Sequence, residues 1–384
     1  FFKTGSESEQ DTFAEHEYVR YEGSQIDGRL KAWLNQGRDK PDSKLSKLLS
    51  APVLVCTIDH LTPATEGCRG GKQIAPMLRL LTSDLILDEP DDFGLEDLPA
   101  LCRLVHWAGV LGSRVLLSSA TLPPDFIQAL YQAYEKGRQA YREGVSGHEN
   151  DSIVCGWVDE FRCHSEFIEG AESFATKHSE FVDRRVEQLS RKTHITQRAD
   201  LLEVHSEDDL CSSILSASIK LHREHTECSP CGKNVSFGLI RLANIKQIGK
   251  LAQRLMQQKV PDDIQLHLCI YHSRHPLIVR AEIERHLDAV LSRGNDQAVW
   301  QQSVVQDPLD TSAAKNHLFI VLASPVAEVG RDHDYSWAIV EPSSMRAIIQ
   351  LAGRVQRHRK QAVSSPNILI WQKNIRALNS LSPA

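Results

Sequence analysis

Val235-Ser236-Phe237-Gly238-Leu239-Ile240-Arg241-Leu242-Ala243-Asn244-Ile245 opens as an apolar run over 236–240, ends in charged and polar residues, and leads directly into an amphipathic helical pattern over 245–258. A strand with one wet face alternates apolar and polar residues, whereas a strand buried on both faces is apolar throughout, as in parallel sheets with helices on either side. The same texture recurs at 53–58, 84–87, 114–117, 266–271, 318–322, 337–340 and 368–371, with helical patterns such as 277–291 between the runs. The chain therefore reads as α/β, built on parallel sheets flanked by helices.

At 384 residues there is room for two or three domains, each with its own core. Between about 131 and 221 the strand signal fades into charged, helix-prone sequence with turn residues near Gly144 and Gly147. The expected organisation is a first lobe over 1–130, a helical insertion or linker over 131–232, and a second lobe over 233–384. Residues 1–50 are polar and charge-rich, with a weak helical stretch at 26–34. Apolar residues make up 41%, yet no stretch approaches the roughly 20 uninterrupted apolar residues that cross a bilayer, and Phe1 begins no signal peptide. Nine scattered cysteines imply no disulfide framework. These features point to a cytoplasmic protein. A net charge of −6 argues against a nucleic-acid coat over the whole surface but leaves room for a local basic groove. The segment 346–360 holds four arginines, one lysine and one histidine with no acid, which fits either such a groove or a solvated helix face.

In open parallel sheets ligands sit beyond the carboxyl ends of the strands. Three strand or helix ends stand out. Leu85-Ile86-Leu87-Asp88-Glu89-Pro90-Asp91 places two adjacent carboxylates at a strand end. Asp88 suits a Mg²⁺ ion held through water, and Glu89 suits polarising a water that attacks a γ-phosphate; a plain acidic turn is the alternative. Val115-Leu116-Leu117-Ser118-Ser119-Ala120-Thr121 ends in small hydroxyl residues that suit hydrogen bonds to that acidic pair, or a helix N-cap. In Gln350-Leu351-Ala352-Gly353-Arg354-Val355-Gln356-Arg357, a continuous helix would put Ile348, Leu351, Ala352 and Val355 on an apolar stripe and Gln350, Arg354 and Arg357 on another face. Paired guanidiniums suit the equatorial oxygens of a transferring phosphoryl group.

The order of these elements, with Val329-Gly330-Arg331-Asp332 between the second and third, resembles the superfamily 2 helicase series. The segments 88–91, 235–245, 271–276 and 325–359 narrow the likeness, and the chain resembles the CRISPR-associated helicase-nuclease of type I systems, subtype I-F. That resemblance implies two tandem RecA-like domains that bind ATP and Mg²⁺ and translocate 3′ to 5′ on single-stranded DNA. It assigns Asp88 and Glu89 to the metal and the attacking water, and Ser119 and Thr121 to coupling. Gly330, Asp332, Gln350, Arg354 and Arg357 fall at the nucleotide, and Thr57, Arg241, Asn244, His272 and Arg274 along the DNA strand. The implied partners are single-stranded DNA, the RNA-guided surveillance complex, a nuclease domain in cis and CRISPR adaptation proteins.

Two family features are missing from the sequence. No G-x-x-x-x-G-K-S/T phosphate loop is present, since Gly71-Lys72, Gly232-Lys233 and Gly249-Lys250 are followed by Gln73, Asn234 and Leu251. In the family that loop lies upstream of Thr57, so the chain is expected to be truncated and inactive alone. The clustered His and Asp pattern of the nuclease is also absent, and its metal is left open. Cys228-Ser229-Pro230-Cys231, preceded by His222 and His225, has zinc-like spacing but reads better as a surface loop. A DEAD-box-type RNA helicase and a catalytically incomplete docking scaffold are the alternative functions.

Overall fold

The computed structural model describes residues 49, 51–65, 73–145, 152–206, 209–293, 297–328 and 332–380. The chain divides into two units, Phe1–Ser190 and Arg191–Ala384. The division thus falls earlier than the lobe boundary expected near Gly232. The 26–34 helix and the glycine-rich 67–72 stretch lie outside the described residues.

In the first unit, α1 (Ile74–Thr82), β1 (Leu85–Asp88), α2 (Leu98–Val110), β2 (Val115–Ser118) and α3 (Pro124–Gly144) form one layered group. β1 and β2 pair in parallel, from Leu85 opposite Val115 to Asp88 opposite Ser118. Leu85 and Leu87 point into a core with Leu80, Leu101, Leu104, Val105, Phe126 and Leu130. The intervening Ile86 and Leu116 are 65% and 54% exposed, so burial on both faces does not hold for this pair. The 53–58 run is not a strand either. Val53 and Val55 are exposed, and the chain turns through a short 3₁₀ helix at Ile58–His60.

The segment expected to be a helical insertion contains strands. β3 (Ile153–Val158) and β4 (Cys163–Ile168) form an antiparallel hairpin, followed by α4 (Ala171–Ser190). One hairpin face packs through Trp157 and Ile168 onto Tyr131 of α3 and Phe174 of α4, whose rings stack at 4.1 Å. The alternation that signals such a half-buried hairpin is broken by the exposed apolar residues Val154, Val158 and Phe167 and by His164 and Glu166 on the inner face, which hid it in the sequence.

The second unit holds the parallel, helix-flanked sheet expected over 233–384, together with elements from 191–232 that were expected in the insertion. Its sheet comprises β5 (Ala199–Leu202), β6 (Glu227–Cys228), β7 (Asn234–Arg241), β8 (Ile264–Tyr271), β9 (Asn316–Ala323), β10 (Trp337–Val340) and β11 (Ile368–Trp371). The order is β5-β11-β10-β7-β9-β8, all parallel, with β6 antiparallel to the start of β7. One face of the central strands, with Ile240, Leu318, Ile320, Leu322, Trp337 and Ile339, packs with α5 (Leu210–Glu224) and α6 (Ile245–Gln257). The other face, with Phe237, Leu239, Val321, Ala338 and Val340, packs with α7 (Leu277–Leu291), α8 (Ser303–Thr311) and α9 (Met345–Ala352). Double burial is what the uninterrupted apolar runs demanded, and each fully buried aliphatic side chain contributes about 1.5–3 kcal/mol. α10 (Ile375–Ser380) follows the sheet.

Gly238 has a specific task in that core. A Cβ there would lie 2.1 Å from the Trp337 ring, so only glycine leaves space for the indole. Trp337 Nε1 donates to Ser236 Oγ at 3.1 Å, and Ser236 Oγ pairs with His222 Nδ1 at 2.8 Å. Nearby, His267 stacks on Phe319 at 4.2 Å and its Nε2 lies 3.1 Å from His317 Nδ1.

Burial holds all three imidazoles below the ordinary histidine range, His267 down to about 4. The folded unit therefore carries them neutral, while the unfolded chain takes up protons below about pH 6.5. Their contribution to stability is intact at pH 7.5 and weakens below about pH 6.5, that of His267 being lost as pH falls toward 4. Urea unfolding followed by fluorescence of the buried tryptophans should show a loss on the order of 1 kcal/mol from His267 at pH 5, after allowance for its partial solvation. A His267→Phe variant should flatten that part of the pH dependence, and an unchanged profile would contradict the assignment.

Candidate functional site

The acidic pair lies where β1 ends. Glu89 N–H donates to Ser118 O at 2.7 Å, carrying the β1–β2 pairing one residue past Asp88. Glu89 then takes φ 47°, ψ 51°, a left-handed conformation that costs a non-glycine residue about 1–3 kcal/mol and recurs at functional sites. Asp88 is exposed and Glu89 half-buried. Ser119 Oγ donates to Glu89 Oε2 at 3.4 Å, in line with the expected contact between hydroxyls and acids. The tighter partner is one the sequence reading passed over. Asp91 accepts Ser119 Oγ–H on one carboxylate oxygen and Thr121 Oγ1–H on the other. Thr121 N–H in turn donates to Ser119 Oγ at 3.1 Å. Pro90 was the available signal, because a proline after a strand end turns the chain and swings the next carboxylate back toward the neighbouring strand.

Among the described residues no group of three or more His, Cys, Asp or Glu side chains is placed to hold a metal. An exposed aspartate beside a second carboxylate fits Mg²⁺, which keeps most of its waters and takes one or two protein carboxylates plus phosphate oxygens. Cys228 and Cys231 are both exposed on the β6–β7 turn, with Gly232 at φ 81°.

In the second unit the polar residues gather beyond the carboxyl ends of β7, β8 and β9. Asn244 caps α6, accepting from Lys246 N–H at 3.0 Å. His272 stacks on His275 at 3.8 Å, and Arg274 beside them is exposed. Burial first, then the neighbouring His275, pushes the His272 imidazole down. Arg241 departs from the expectation of a strand-contacting residue. It is 2% exposed; its Nε donates to Glu328 Oε1 at 2.5 Å, Nη1 to Glu341 O at 2.9 Å and Nη2 to Ser343 Oγ at 2.8 Å. Its guanidinium ties together the loops after β9 and β10. Thr57 is exposed in the first unit, ahead of the Ile58–His60 turn.

The arginine segment is not the continuous helix its spacing suggested. α9 stops at Ala352, Gly353 forms its C-cap, and the chain enters a turn. Val355 is fully buried and bridges to Tyr335: Tyr335 N–H donates to Arg354 O at 2.8 Å, and Gln356 N–H to Tyr335 O at 3.0 Å. That bridge, with Gln356 at φ 52°, is incompatible with further helix. Gln350 therefore lies on α9, whereas Arg354 and Arg357 lie in the turn. Arg354 Nη2 donates to Glu328 O at 2.9 Å, while its Nε is buried without a hydrogen-bond partner among the described residues. Burial, then the nearby Arg357 cation, lowers the Arg354 pKa. Arg357 Nε donates to Asp332 Oδ1 at 2.5 Å; Asp332 is exposed, and Gly330 lies outside the described residues. Two guanidiniums held close, one with an unused buried N–H, form a setting that an oxyanion would stabilise.

With that geometry in hand, comparison with known proteins gives a consistent answer. Solved Cas3 structures from T. fusca share the fold: the AMPPNP form at TM-score 0.56, with 18% identity over 88% of this chain and 36% of that one, and the ADP form at TM-score 0.58, with 17% identity over 92% and 38%. A chain of a CRISPR RNA-guided surveillance complex in a pre-nicking state matches at TM-score 0.54, with 17% identity over 92% of this chain and 40% of that one. The family described as CRISPR-associated nuclease/helicase Cas3, C-terminal, matches residues 234–360. Curated nuclease/helicases of subtype I-F/YPEST from Pectobacterium atrosepticum and Pseudomonas aeruginosa are 51% identical over 388 residues and 49% over 395, covering 98% and 100% of this chain. Over nearly its whole length the chain thus matches Cas3 nuclease/helicases of subtype I-F, and it spans 35% and 36% of the length of those two relatives. No helix among the described residues is long and apolar enough to cross a membrane.

Removing Arg241 should read as a stability defect. Arg241→Met leaves the Glu328 carboxylate buried without its partner, and chemical denaturation should show a loss of about 3–5 kcal/mol. A loss below about 0.5 kcal/mol, typical of surface substitutions, would place the side chain in solvent instead.

Proposed function

We propose that this segment supplies catalytic and DNA-contacting parts of an ATP-driven motor that moves 3′ to 5′ on single-stranded DNA during CRISPR interference. The observation that carries the reading is the Arg354–Arg357 pair, two cations in one turn with a buried donor unused among the described residues. In support, the relatives are named nuclease/helicases, and structures sharing the fold were obtained with AMPPNP, ATP and ADP.

In this reading Asp88 orients Mg²⁺ through water, and the ion neutralises phosphate oxygens of the bound ATP. Glu89, fixed by its left-handed backbone, orients and polarises the attacking water. Asp91, Ser119 and Thr121 link the acid-bearing strand end to the start of α3, a route by which nucleotide state reaches the rest of the unit. Arg354 and Arg357 stabilise the charge spread over the transferring phosphoryl oxygens, and Gln350, Gly330 and Asp332 are the further nucleotide-site residues. Thr57, Asn244, His272 and Arg274 touch the DNA backbone, and Arg241 braces the second unit's strand ends from inside. The phosphate loop and the nuclease that receives the strand belong to parts of the protein outside this segment. The RNA-guided surveillance complex delivers the DNA, and CRISPR adaptation proteins are further partners.

The test is steady-state ATP hydrolysis by the full-length protein with single-stranded DNA or RNA of equal length. DNA should stimulate turnover and RNA should not. Arg354→Ala and Glu89→Gln should each lower kcat by about 10³-fold or more without loss of the folded state. Wild-type turnover in either variant, or equal stimulation by RNA, would refute the reading.

A further inference from the structure

The basic run at 346–360 contains an arginine that the proposed chemistry does not use. Arg359 follows Arg357 by two residues, yet its side chain is only 5% exposed while Arg357 is 41% exposed. It reaches two carboxylates from different elements. Nη2 and Nε donate to Asp334 Oδ1 at 2.7 and 3.3 Å, and Nη1 donates to Glu227 Oε1 in β6. Asp334, fully buried, uses its other oxygen to accept the backbone N–H groups of His358 and Arg359 at 2.9 and 3.1 Å. Glu227 is held from the far side by Arg293, whose Nη1 and Nη2 donate to it at 3.2 and 3.0 Å while its guanidinium lies over Phe237, 5.0 Å from the ring centroid. Two guanidiniums and two carboxylates thus balance one another in a largely buried cluster.

The turn they pin needs such restraint. Gln356 and Lys360 both adopt positive φ, at 52° and 49°, a conformation that persists in non-glycine residues only where surroundings over-determine it. Two further bonds act on the same backbone: Gln197 Nε2 donates to Val355 O at 2.7 Å, and His194 Nε2 lies 2.6 Å from Lys360 O. Arg357 sits between the two left-handed residues, immediately before the backbone that Asp334 grips. Its direction is therefore set by the Asp334–Arg359 contact, and a lysine at 359, a point charge without the planar fork, cannot bridge both carboxylates.

We propose that Arg359, clamped by Asp334 and Glu227, is a positioning residue that fixes the turn beyond Arg354 and thereby aims Arg357 at the phosphate. This inference rests on the reading of those two arginines as phosphate-binding. It assigns to Arg359 no contact with nucleotide. Its effect passes through the backbone of His358 and the aim of Arg357.

The experiment measures DNA-stimulated ATP hydrolysis by the full-length protein in wild type, Arg359→Lys, Arg357→Ala and the double variant. Arg359→Lys should lower kcat about tenfold or more, with the KM for ATP and the affinity for single-stranded DNA within about twofold of wild type. The double variant should turn over no more slowly than Arg357→Ala alone, because both changes remove the same interaction. Glu227→Gln, which loosens the clamp from its outer end, should show a smaller kcat loss of the same kind and replaces Arg359→Lys if the latter does not fold. A folded variant with wild-type kcat, or losses that multiply in the double variant, would overturn the proposal. A purely structural role would lower the melting temperature and leave kcat per folded molecule unchanged. Wild-type protein without ATP hydrolysis would instead refute the underlying motor reading.

Discussion

Burial of a parallel sheet on both faces is the constraint from which the second unit follows. Strands β7, β9 and β10 have no wet side, so nearly every position along them is apolar, and charged groups must wait until the chain leaves the sheet. Arg241 accordingly falls at the last position of β7, His272, Ser324 and Glu341 directly after β8, β9 and β10, and Glu328 in the loop beyond β9. The gathering is thus a consequence of packing before it is a feature of any chemistry. Where two such ends need to be tied together, a buried ion pair does it, as Arg241 does with Glu328. Isolated charges at that depth would each cost several kcal/mol, so the pair is mutually obligatory.

The same logic shows why much of the fold was legible. Uninterrupted apolar runs with β-branched residues are hard to place anywhere except a doubly covered sheet, and 337–340 and 277–291 coincide with β10 and α7. The runs that misled are short or isolated. The 53–58 run has the right composition, but the described structure gives it no strand to pair with. β5 reads as Ala-Asp-Leu-Leu, too short and too polar to announce an edge strand whose identity depends on pairing with β11, far along the chain. The β3–β4 hairpin was hidden because Val154, Val158 and Phe167 lie on its exposed face, so apolar residues fall on both faces and blur the period of two.

Site residues were legible by type more than by role. Adjacent carboxylates and hydroxyls at strand ends pointed to two loops that do touch, but periodicity says nothing about which carboxylate a hydroxyl chooses. The turn at Pro90 makes that choice Asp91. The spacing of Gln350, Arg354 and Arg357 suggested one helical face, and the tertiary bridge between Tyr335 and Val355 overrode it. A helix would have shown both arginines to solvent along one line. The turn instead half-buries Arg354, leaves Arg357 exposed, and stores conformational strain that the surrounding ionic cluster must hold.

The central claim is that the acidic strand end and the arginine turn respond to the same nucleotide. Hydrogen–deuterium exchange of the full-length protein, with and without a non-hydrolysable ATP analogue and Mg²⁺, tests it most directly. The account predicts slowed exchange in peptides covering 88–91, 119–121 and 353–360 together, appearing at the same analogue concentration. Protection confined to the first two, with 353–360 unchanged at saturation, would contradict it.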